Sequence, residues 1–467
     1  MYRAIYLVLT AIAFAEFLST TNMHGGPSFV ILPGPIRFLP ELFSALCAVY
    51  VAIAGARSQF QLVSTKYLIV FGSLALVLVC GILANAEPAG PILSEMRYML
   101  RCIPFFFLPA VLDLKEWQLE RIMKFVLALS LIQVPLSMYQ RYFLESTGHV
   151  SGDGVTGTIM DSGCMTLFLI CVICVLAAAM LRGRISKFTF GWIFMLLLIP
   201  MSIDETKITV FLFPPALLGT FLVASTPGTR VRIFFTAIVI MIIGGSIFIP
   251  TYDYFNELNV SKDEQFTVAD IMSKDFLSKY LTNDADVGSG ERGKVARANA
   301  VVVPLKTVAK DPIKLAFGLG IGNVSTSTLG PQFVGQYFDT LGPFASGYDS
   351  GAFLLETGVF GFVLILLIHW LIFRDSVNVA RQDPGLVGII AAGWTGTTLV
   401  IVIGIFYTQI HGNSTISYFY WLFSGFIAAR RTALLRANTR GRTPVPRAED
   451  LRPKAPVTIA AAVPRNR

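Results

Sequence analysis

The sequence predicts an all-α polytopic membrane protein of about 12 transmembrane helices, with one large periplasmic loop between helices 9 and 10. Three observations favour this fold class. The 467 residues are 54% hydrophobic and only 14% charged, whereas soluble domains carry about 25% charged residues. Apolar segments long enough to cross a bilayer recur along the chain. The short connections between them alternate between basic and non-basic, as the positive-inside rule predicts.

The predicted spans divide the chain into four parts. Residues 1–250 hold nine helices, 251–350 form the large loop, 351–430 hold three more helices, and 431–467 are a disordered basic tail. The fourth span is short and is interrupted by two prolines, which neighbouring helices can accommodate. The twelve predicted spans are 4–21, 38–56, 67–84, 98–113, 119–139, 164–181, 187–203, 208–224, 231–250, 351–373, 386–408 and 414–430.

Lys and Arg residues in the short connections predict the orientation. They follow the even-numbered spans, beginning with Arg57 and Lys66 after the second. Both termini are therefore expected in the cytoplasm, with the loop 251–350 on the outer side. The net charge of +8 is carried by the tail, because ten Lys and Arg and two Asp and Glu lie from Arg430 onward. Such a tail is expected to touch anionic membrane lipid, and it gives no indication of nucleic-acid binding.

Several basic residues on the outer side break this orientation pattern. One interpretation is local ion pairing, of Glu95 with Arg97 and of Glu205 with Lys207. The other is an anion-binding site, because several positive charges converge at one membrane face. These residues are Arg97, Arg101, Arg141, Lys207 and the stretch 292–314 that begins at Arg292.

Two carboxylates, Asp349 and Glu356, lie near the outer end of the tenth predicted span. Carboxylates at membrane depth are costly and are functional candidates by default. An alternative for Asp349 is helix capping, since an Asp before a small residue often satisfies the free backbone amides at a helix start. A glycine-rich turn, Gly318 to Gly322, precedes them and allows close backbone approach to an anion.

The six cysteines lie in or beside apolar spans and indicate no disulfide framework. Cys171 and Cys174 form a CxxC pair inside an apolar run, where free cysteines ordinarily serve as small packing residues. No His, Cys and Asp cluster has the spacing of metal ligands, so the sequence predicts no metal.

These elements, taken in order, resemble the O-antigen ligase and polymerase (Wzy-type) superfamily, in particular its exopolysaccharide polymerases. The resemblance rests on the layout of spans and on degenerate motifs of the outer loop. Asp349-Ser350 departs from the His-Asn of many members, which favours the exopolysaccharide branch. The matching elements are Thr156-Gly157-Thr158, Glu205-Thr206-Lys207, Arg292, Asp311-Pro312, the glycines 318, 320 and 322, Asp349 and LLETGVFGF at 354–362.

The resemblance implies a metal-independent glycosyltransferase of the bacterial inner membrane. It would polymerise polyprenyl-diphosphate-linked oligosaccharide repeat units at the periplasmic face, for surface polysaccharide or exopolysaccharide synthesis. No cofactor is implied. The implied partners are the lipid-linked glycan, membrane lipid, and a chain-length regulator and flippase of the same pathway.

The leaving group of such a reaction is a diphosphate at the membrane surface. Arg97, Arg101, Lys207 and Arg292 are the candidates for stabilising its developing negative charge. Either Asp349 or His411 is the candidate for taking the proton of the acceptor hydroxyl.

Three other functions remain open on the sequence. A ligase would differ only in transferring the glycan to another acceptor. A transporter or flippase is compatible with twelve spans and scattered charges, although no repeat relates the two halves and the large loop is placed asymmetrically. A structural subunit of an export complex is the third.

Overall fold

The computed structural model describes residues 2–20, 30–58, 63–112, 114–143, 154–257, 267–274, 278, 296–327 and 329–439. Of the described residues, 80% are helical and none lies in a strand. The described residues up to 257 form ten α-helices, the last of which runs past the predicted end of the ninth span at 250: α1 Tyr2–Ser19, α2 Leu39–Arg57, α3 Thr65–Asn85, α4 Ala89–Leu100, α5 Ile103–Val111, α6 Glu116–Phe143, α7 Ser162–Leu181, α8 Lys187–Ile203, α9 Thr209–Ala224 and α10 Arg230–Glu257.

The predicted loop contains short helices, and three long helices follow it. In the described part of the loop these are α11 Val268–Ile271, α12 Asn299–Val308, α13 Pro312–Phe317 and α14 Phe338–Ala345. The last three helices of the described chain are α15 Asp349–Gln382, α16 Leu386–Gly404 and α17 Ser414–Thr439.

Seven described helices are long and apolar enough to cross a membrane, which confirms the prediction of an all-α membrane protein. The other predicted spans coincide with helices that are shorter or less apolar, among them α1, α8 and α9. The seven are Gly34–Arg57 (α2 with a preceding 3₁₀ turn), Thr65–Asn85, Glu116–Phe143, Ser162–Leu181, Arg230–Glu257, Asp349–Gln382 and Leu386–Gly404.

The predicted fourth span, 98–113, is wrong as a single helix. α4 ends at Leu100 and α5 begins at Ile103, with Arg101 and Cys102 between them. Pro104 occupies the first turn of α5, where a missing backbone N–H costs nothing. The break turns the Arg101 side chain into the bundle, where it is 5% exposed.

The predicted tenth span, 351–373, is also not one straight helix. Gly358 has φ 64° and ψ −170°, so α15 bends there. A Cβ at Gly358 would lie 2.5 Å from the Gly318 nitrogen, which shows that the glycine turn packs into the bend. A left-handed φ without a side chain is what glycine supplies at low cost.

The contacts of His411 show that α15 folds back on itself at this bend. A straight helix would separate Asp349 from His369 by about 30 Å. The His411 ring nevertheless contacts both, since its Nδ1 lies 2.9 Å from Asp349 Oδ2 and its ring centroid lies 5.8 Å from that of His369. The segment 349–357 therefore folds back beside the second part of α15, so that Asp349 and His369 lie near the same ring.

The core forms around α16, which packs against α7, α9 and α15. Small residues permit this close approach: a Cβ at Gly393 would lie 2.5 Å from Val175 Cα, and one at Gly396 would lie 2.3 Å from the Ala216 carbonyl. Cys171 and Cys174 are buried free thiols in this region, as the packing interpretation predicts.

Candidate active site

The candidate site centres on the connection 405–413 between α16 and α17. Backbone bonds to the start of α15 hold one side of it, with the Ser350 amide donating to Ile405 (2.9 Å) and the Asp349 amide to Thr408 (3.3 Å). The side-chain amide of Asn413 donates from Nδ2 to the Ile159 carbonyl at 2.7 Å. Segments far apart in sequence thus fix this connection in place.

Asp349 and His411 form a hydrogen-bonded pair in this connection. Asp349 Oδ2 accepts from the His411 ring Nδ1 at 2.9 Å and from the His411 backbone amide at 3.0 Å. An ionised carboxylate only accepts, so when Asp349 is ionised and the ring is neutral, Nδ1 carries the hydrogen and Nε2 is left as the acceptor. The Asp349 side chain is 5% exposed and that of His411 14%, so the imidazole is the more accessible partner.

The capping interpretation of Asp349 does not fit this geometry. Tyr348 is the N-cap residue of α15 and makes no side-chain cap bond, while Asp349 is already the first helical residue. Its carboxylate is directed to His411. Phe353, one turn further along α15, packs edge-on against the His411 ring with centroids 4.9 Å apart.

Arg101 supports the same connection from the opposite side. Its Nη2 donates to the Gly412 carbonyl at 2.5 Å and lies 3.4 Å from the His411 carbonyl. The Ser44 hydroxyl donates to the Arg101 carbonyl, and the guanidinium lies over the Tyr98 and Tyr418 rings. Arg101 thus joins α2, the α4–α5 break and the His411 backbone.

Arg97 and Arg101 share one carboxylate, that of Glu41. Glu41 Oε2 lies 3.3 Å from Arg97 Nη1, and Glu41 Oε1 lies 3.5 Å from Arg101 Nη1. The expected pairing of Arg97 with Glu95 is wrong. The guanidinium groups of Arg37 and Arg97 both lie near the Phe38 ring, 4.7 and 5.2 Å from its centroid.

The turn between α8 and α9 contains Lys207 and a buried ion pair. Arg141, fully buried, contacts Glu205 at 3.0 Å, so Glu205 pairs with Arg141. Burial raises the pKa of the neighbouring Asp204 carboxyl well above its ordinary value. Lys207 makes none of the contacts that join Arg97 and Arg101 to Glu41, or Asp349 to His411.

Arg292 lies outside the described residues, so the structure does not test its predicted role. Arg297, five positions later, is described, and its guanidinium lies 4.5 Å from the centroid of the Tyr407 ring in the connection 405–413. The basic stretch of the outer loop therefore reaches the candidate site through Arg297.

Other parts of the protein fill the space around the glycine turn, Gly318 to Gly322. Gly318, Gly320 and Gly322 all have positive φ values, of 79°, 94° and 88°. Around the turn, Glu356 accepts from the Ser325 hydroxyl at 2.6 Å, and partial burial raises the pKa of the Glu87 carboxyl to about 7. The turn thus serves to pack α13 and the bend of α15 together.

His369 was not singled out from the sequence. Its ring is fully buried, and its Nδ1 lies 2.8 Å from the Tyr420 hydroxyl. A histidine within an apolar span is a signal that would have found it. Arg37 and Glu41 were missed as well, because they lie at the start of a span where charges are ordinary.

Among the described residues, no group of three or more His, Cys, Asp or Glu side chains is arranged to hold a metal ion. The ionisable groups gathered at the connection 405–413 include the Asp349 carboxylate, the His411 imidazole and the guanidinium of Arg101. This set can hold an anion and take up a proton.

Comparison with models of known protein families and with curated proteins finds no match to this chain. The fold and the site define its class: an all-α membrane protein with a carboxylate–imidazole pair and a buried arginine on one inter-helix connection.

Proposed function

We propose that this protein polymerises polyprenyl-diphosphate-linked oligosaccharide repeat units at the outer face of a bacterial inner membrane. The observation that supports the proposal best is the meeting of Arg101, Asp349 and His411 at one connection, although they are far apart in sequence. A glycosyl transfer from a lipid diphosphate needs a base for the acceptor and positive charge for the leaving group, and this connection offers both.

In the proposed reaction His411 is the general base. Its Nε2 removes the proton from an acceptor sugar hydroxyl while that oxygen forms a bond to the anomeric carbon of the donor. The bond from this carbon to the phosphate oxygen breaks, and the lipid diphosphate leaves with the electron pair. Asp349 is a positioning residue here, because its Oδ2 already accepts two hydrogen bonds from His411.

The leaving diphosphate is assigned to the arginines around Glu41. Arg97 and Arg101 contact that carboxylate directly, and Arg37 lies within electrostatic range of it. Guanidinium groups suit phosphate oxygens because their donors lie in a planar fork. Arg101 also bonds the carbonyl of Gly412, so the same residue couples the anion site to the base.

A transporter is the second candidate, favoured by polar groups elsewhere in the bundle. On α15, Asp375 is 1% exposed, and it pairs with Lys66 at 2.6 Å and with the Tyr67 hydroxyl at 2.9 Å. Buried ionisable groups in membrane helices often belong to ion or substrate pathways. A ligase would use the same site as a polymerase with a different acceptor.

The proposed orientation gives a labelling test. A membrane-impermeant maleimide applied to intact cells should label Lys310→Cys, in the outer loop, and should not label Lys187→Cys, at the start of α8, until the cells are opened. Both positions are exposed, and the unmodified protein gives the background of the six native cysteines. Labelling of Lys187→Cys in intact cells would invert the orientation and remove the proposed function.

Arg101→Lys should damage polymer formation nearly as much as Arg101→Ala. An ammonium is a point charge and cannot hold the Gly412 carbonyl and the Glu41 carboxylate with one planar group. Losing a charge-assisted hydrogen bond of about 1.5–3 kcal/mol corresponds to roughly 10- to 150-fold in rate. The measurement is polymer yield at equal membrane protein level.

Arg121→Lys is the matched control for this substitution, because Arg121 is exposed and stacks on Trp117 away from the site. It should cost little. Full activity of Arg101→Lys would mean that a generic positive charge is sufficient there.

A further inference from the structure

Glu41 lies further from its two arginine partners than a carboxylate in an ion pair usually does. It contacts Arg97 and Arg101 at 3.3 and 3.5 Å, whereas charge-assisted hydrogen bonds to carboxylates are typically 2.7–2.9 Å. Its side chain is 17% exposed, about as much as that of Arg97 at 18%. The carboxylate neutralises the arginines without bonding either of them closely.

Donor groups in this cluster remain without hydrogen-bond partners among the described residues. They are the Nε atoms of Arg37, Arg97 and Arg101 and the hydroxyl of Tyr418. Buried polar groups are paired in the great majority of cases, so four exceptions in one cluster require an explanation. Arg101, whose side chain is 5% exposed, is the most buried of the three arginines.

Three carboxylates lie within electrostatic range of these arginines. Glu41 faces all three guanidinium groups, Glu16 on α1 lies in range of Arg37 and Arg101, and Glu95 on α4 lies in range of Arg97 and Arg101. The carboxylates leave the donor groups named above without acceptors. A multivalent anion with several acceptor oxygens would supply these missing acceptors.

We propose that Glu41 is a resident anion that the diphosphate of the substrate displaces. The inference rests on the proposed function and adds to it a residue that sets the affinity of the site. In the empty protein Glu41 keeps the three guanidinium groups together, and on binding its carboxylate gives up its contacts with Arg97 and Arg101 to diphosphate oxygens. A phospholipid headgroup has the same phosphate chemistry, but it carries a single phosphate and less charge.

The experiment is calorimetric titration of inorganic diphosphate into the purified, full-length protein in detergent. Glu41→Gln should bind diphosphate at least about tenfold more tightly than the wild type, since a competing negative charge is removed. Glu41→Ala should do the same. Glu120→Gln is the control, because Glu120 is an exposed carboxylate on α6 that pairs with Lys124 at 2.9 Å, and it should leave the affinity unchanged.

Thermal unfolding of the same samples separates displacement from damage. Without its resident anion, the Glu41→Gln variant should unfold at a lower temperature than the wild type, and diphosphate should raise that temperature by more than it does for the wild type. Equal or weaker diphosphate binding by both folded Glu41 variants would overturn the inference and make Glu41 a structural partner only.

Two further outcomes distinguish the inference from the proposed function. Inorganic phosphate or phosphatidylglycerol micelles binding as tightly as diphosphate would assign the cluster to lipid headgroups and overturn the displacement by substrate. If no anion binds the wild type, Glu41→Gln or Glu41→Ala, the inference fails. The proposed function would still be tested by an assay of glycan transfer from a lipid-linked donor, because that reaction does not require Glu41 to be displaceable.

Discussion

Replacing His411 by glutamine should reduce polymer formation by about 10²- to 10⁴-fold, the usual contribution of a general base. Glutamine keeps a polar side chain of similar reach but cannot take up a proton at neutral pH. The Asp349 carboxylate would still accept from the backbone amide of residue 411, so the connection would keep part of its support. The measurement is the rate of polymer formation at matched protein level in membranes.

Gln409→Ala is the control for distortion of this connection. Gln409 holds the same connection through its side-chain amide, which donates to the Ala345 carbonyl at 2.8 Å. Losing one such bond costs about 1 kcal/mol, or roughly fivefold. A His411→Gln variant that retains more than about a tenth of the activity would exclude His411 as the base.

Asp349→Asn should lower the rate by about 10²-fold or more. The carboxylate accepts two hydrogen bonds from His411 at one oxygen and thereby holds the tautomer in which Nε2 is free to accept a proton. An amide at this position can present its NH₂ group to Nδ1 and reverse that tautomer. Capping, which Asn serves almost as well as Asp, would predict a loss of about 1 kcal/mol or less.

The double variant Asp349→Asn, His411→Gln distinguishes a functional pair from two independent residues. When two groups act as one unit, removing either of them already removes the contribution of both. The double variant should therefore be no slower than His411→Gln alone. Multiplied losses would show that Asp349 acts separately, as a second base or an acceptor-binding group. Near-normal synthesis by Asp349→Asn alone would remove it from the site.

The three residues of the candidate site could each be selected from the sequence, on different grounds. Asp349 is a carboxylate at membrane depth, which is costly, Arg101 breaks the positive-inside pattern on the outer side, and His411 is a candidate proton acceptor. Their mutual contacts could not be predicted, since Arg101 lies at the α4–α5 break, Asp349 at the start of α15 and His411 in the connection 405–413.

The ion pair of Glu95 with Arg97, expected from adjacency, was wrong for a physical reason. The two residues are two positions apart on α4, and side chains at that spacing point to different sides of a helix. Arg97 therefore reaches Glu41 on α2. Glu205, which has φ 53° in its turn, contacts Arg141, a pairing that adjacency does not indicate.

The bend of α15 also could not be predicted from the sequence. A single glycine in an apolar run is tolerated in a helix, so Gly358 gave no reason to interrupt the predicted span. The bend depends on tertiary contact, because the glycine turn at Gly318 fills the space beside it. That contact brings Asp349 to His411.

The central claim is tested most directly by supplying the purified protein with a synthetic polyprenyl-diphosphate-linked repeat unit and no nucleotide sugar. The proposal predicts a ladder of longer glycans together with released lipid diphosphate from the wild type, and neither product from His411→Gln. In proteoliposomes, a protein that moves the donor across the bilayer but never lengthens the glycan would be a transporter, and that result would contradict the proposed function.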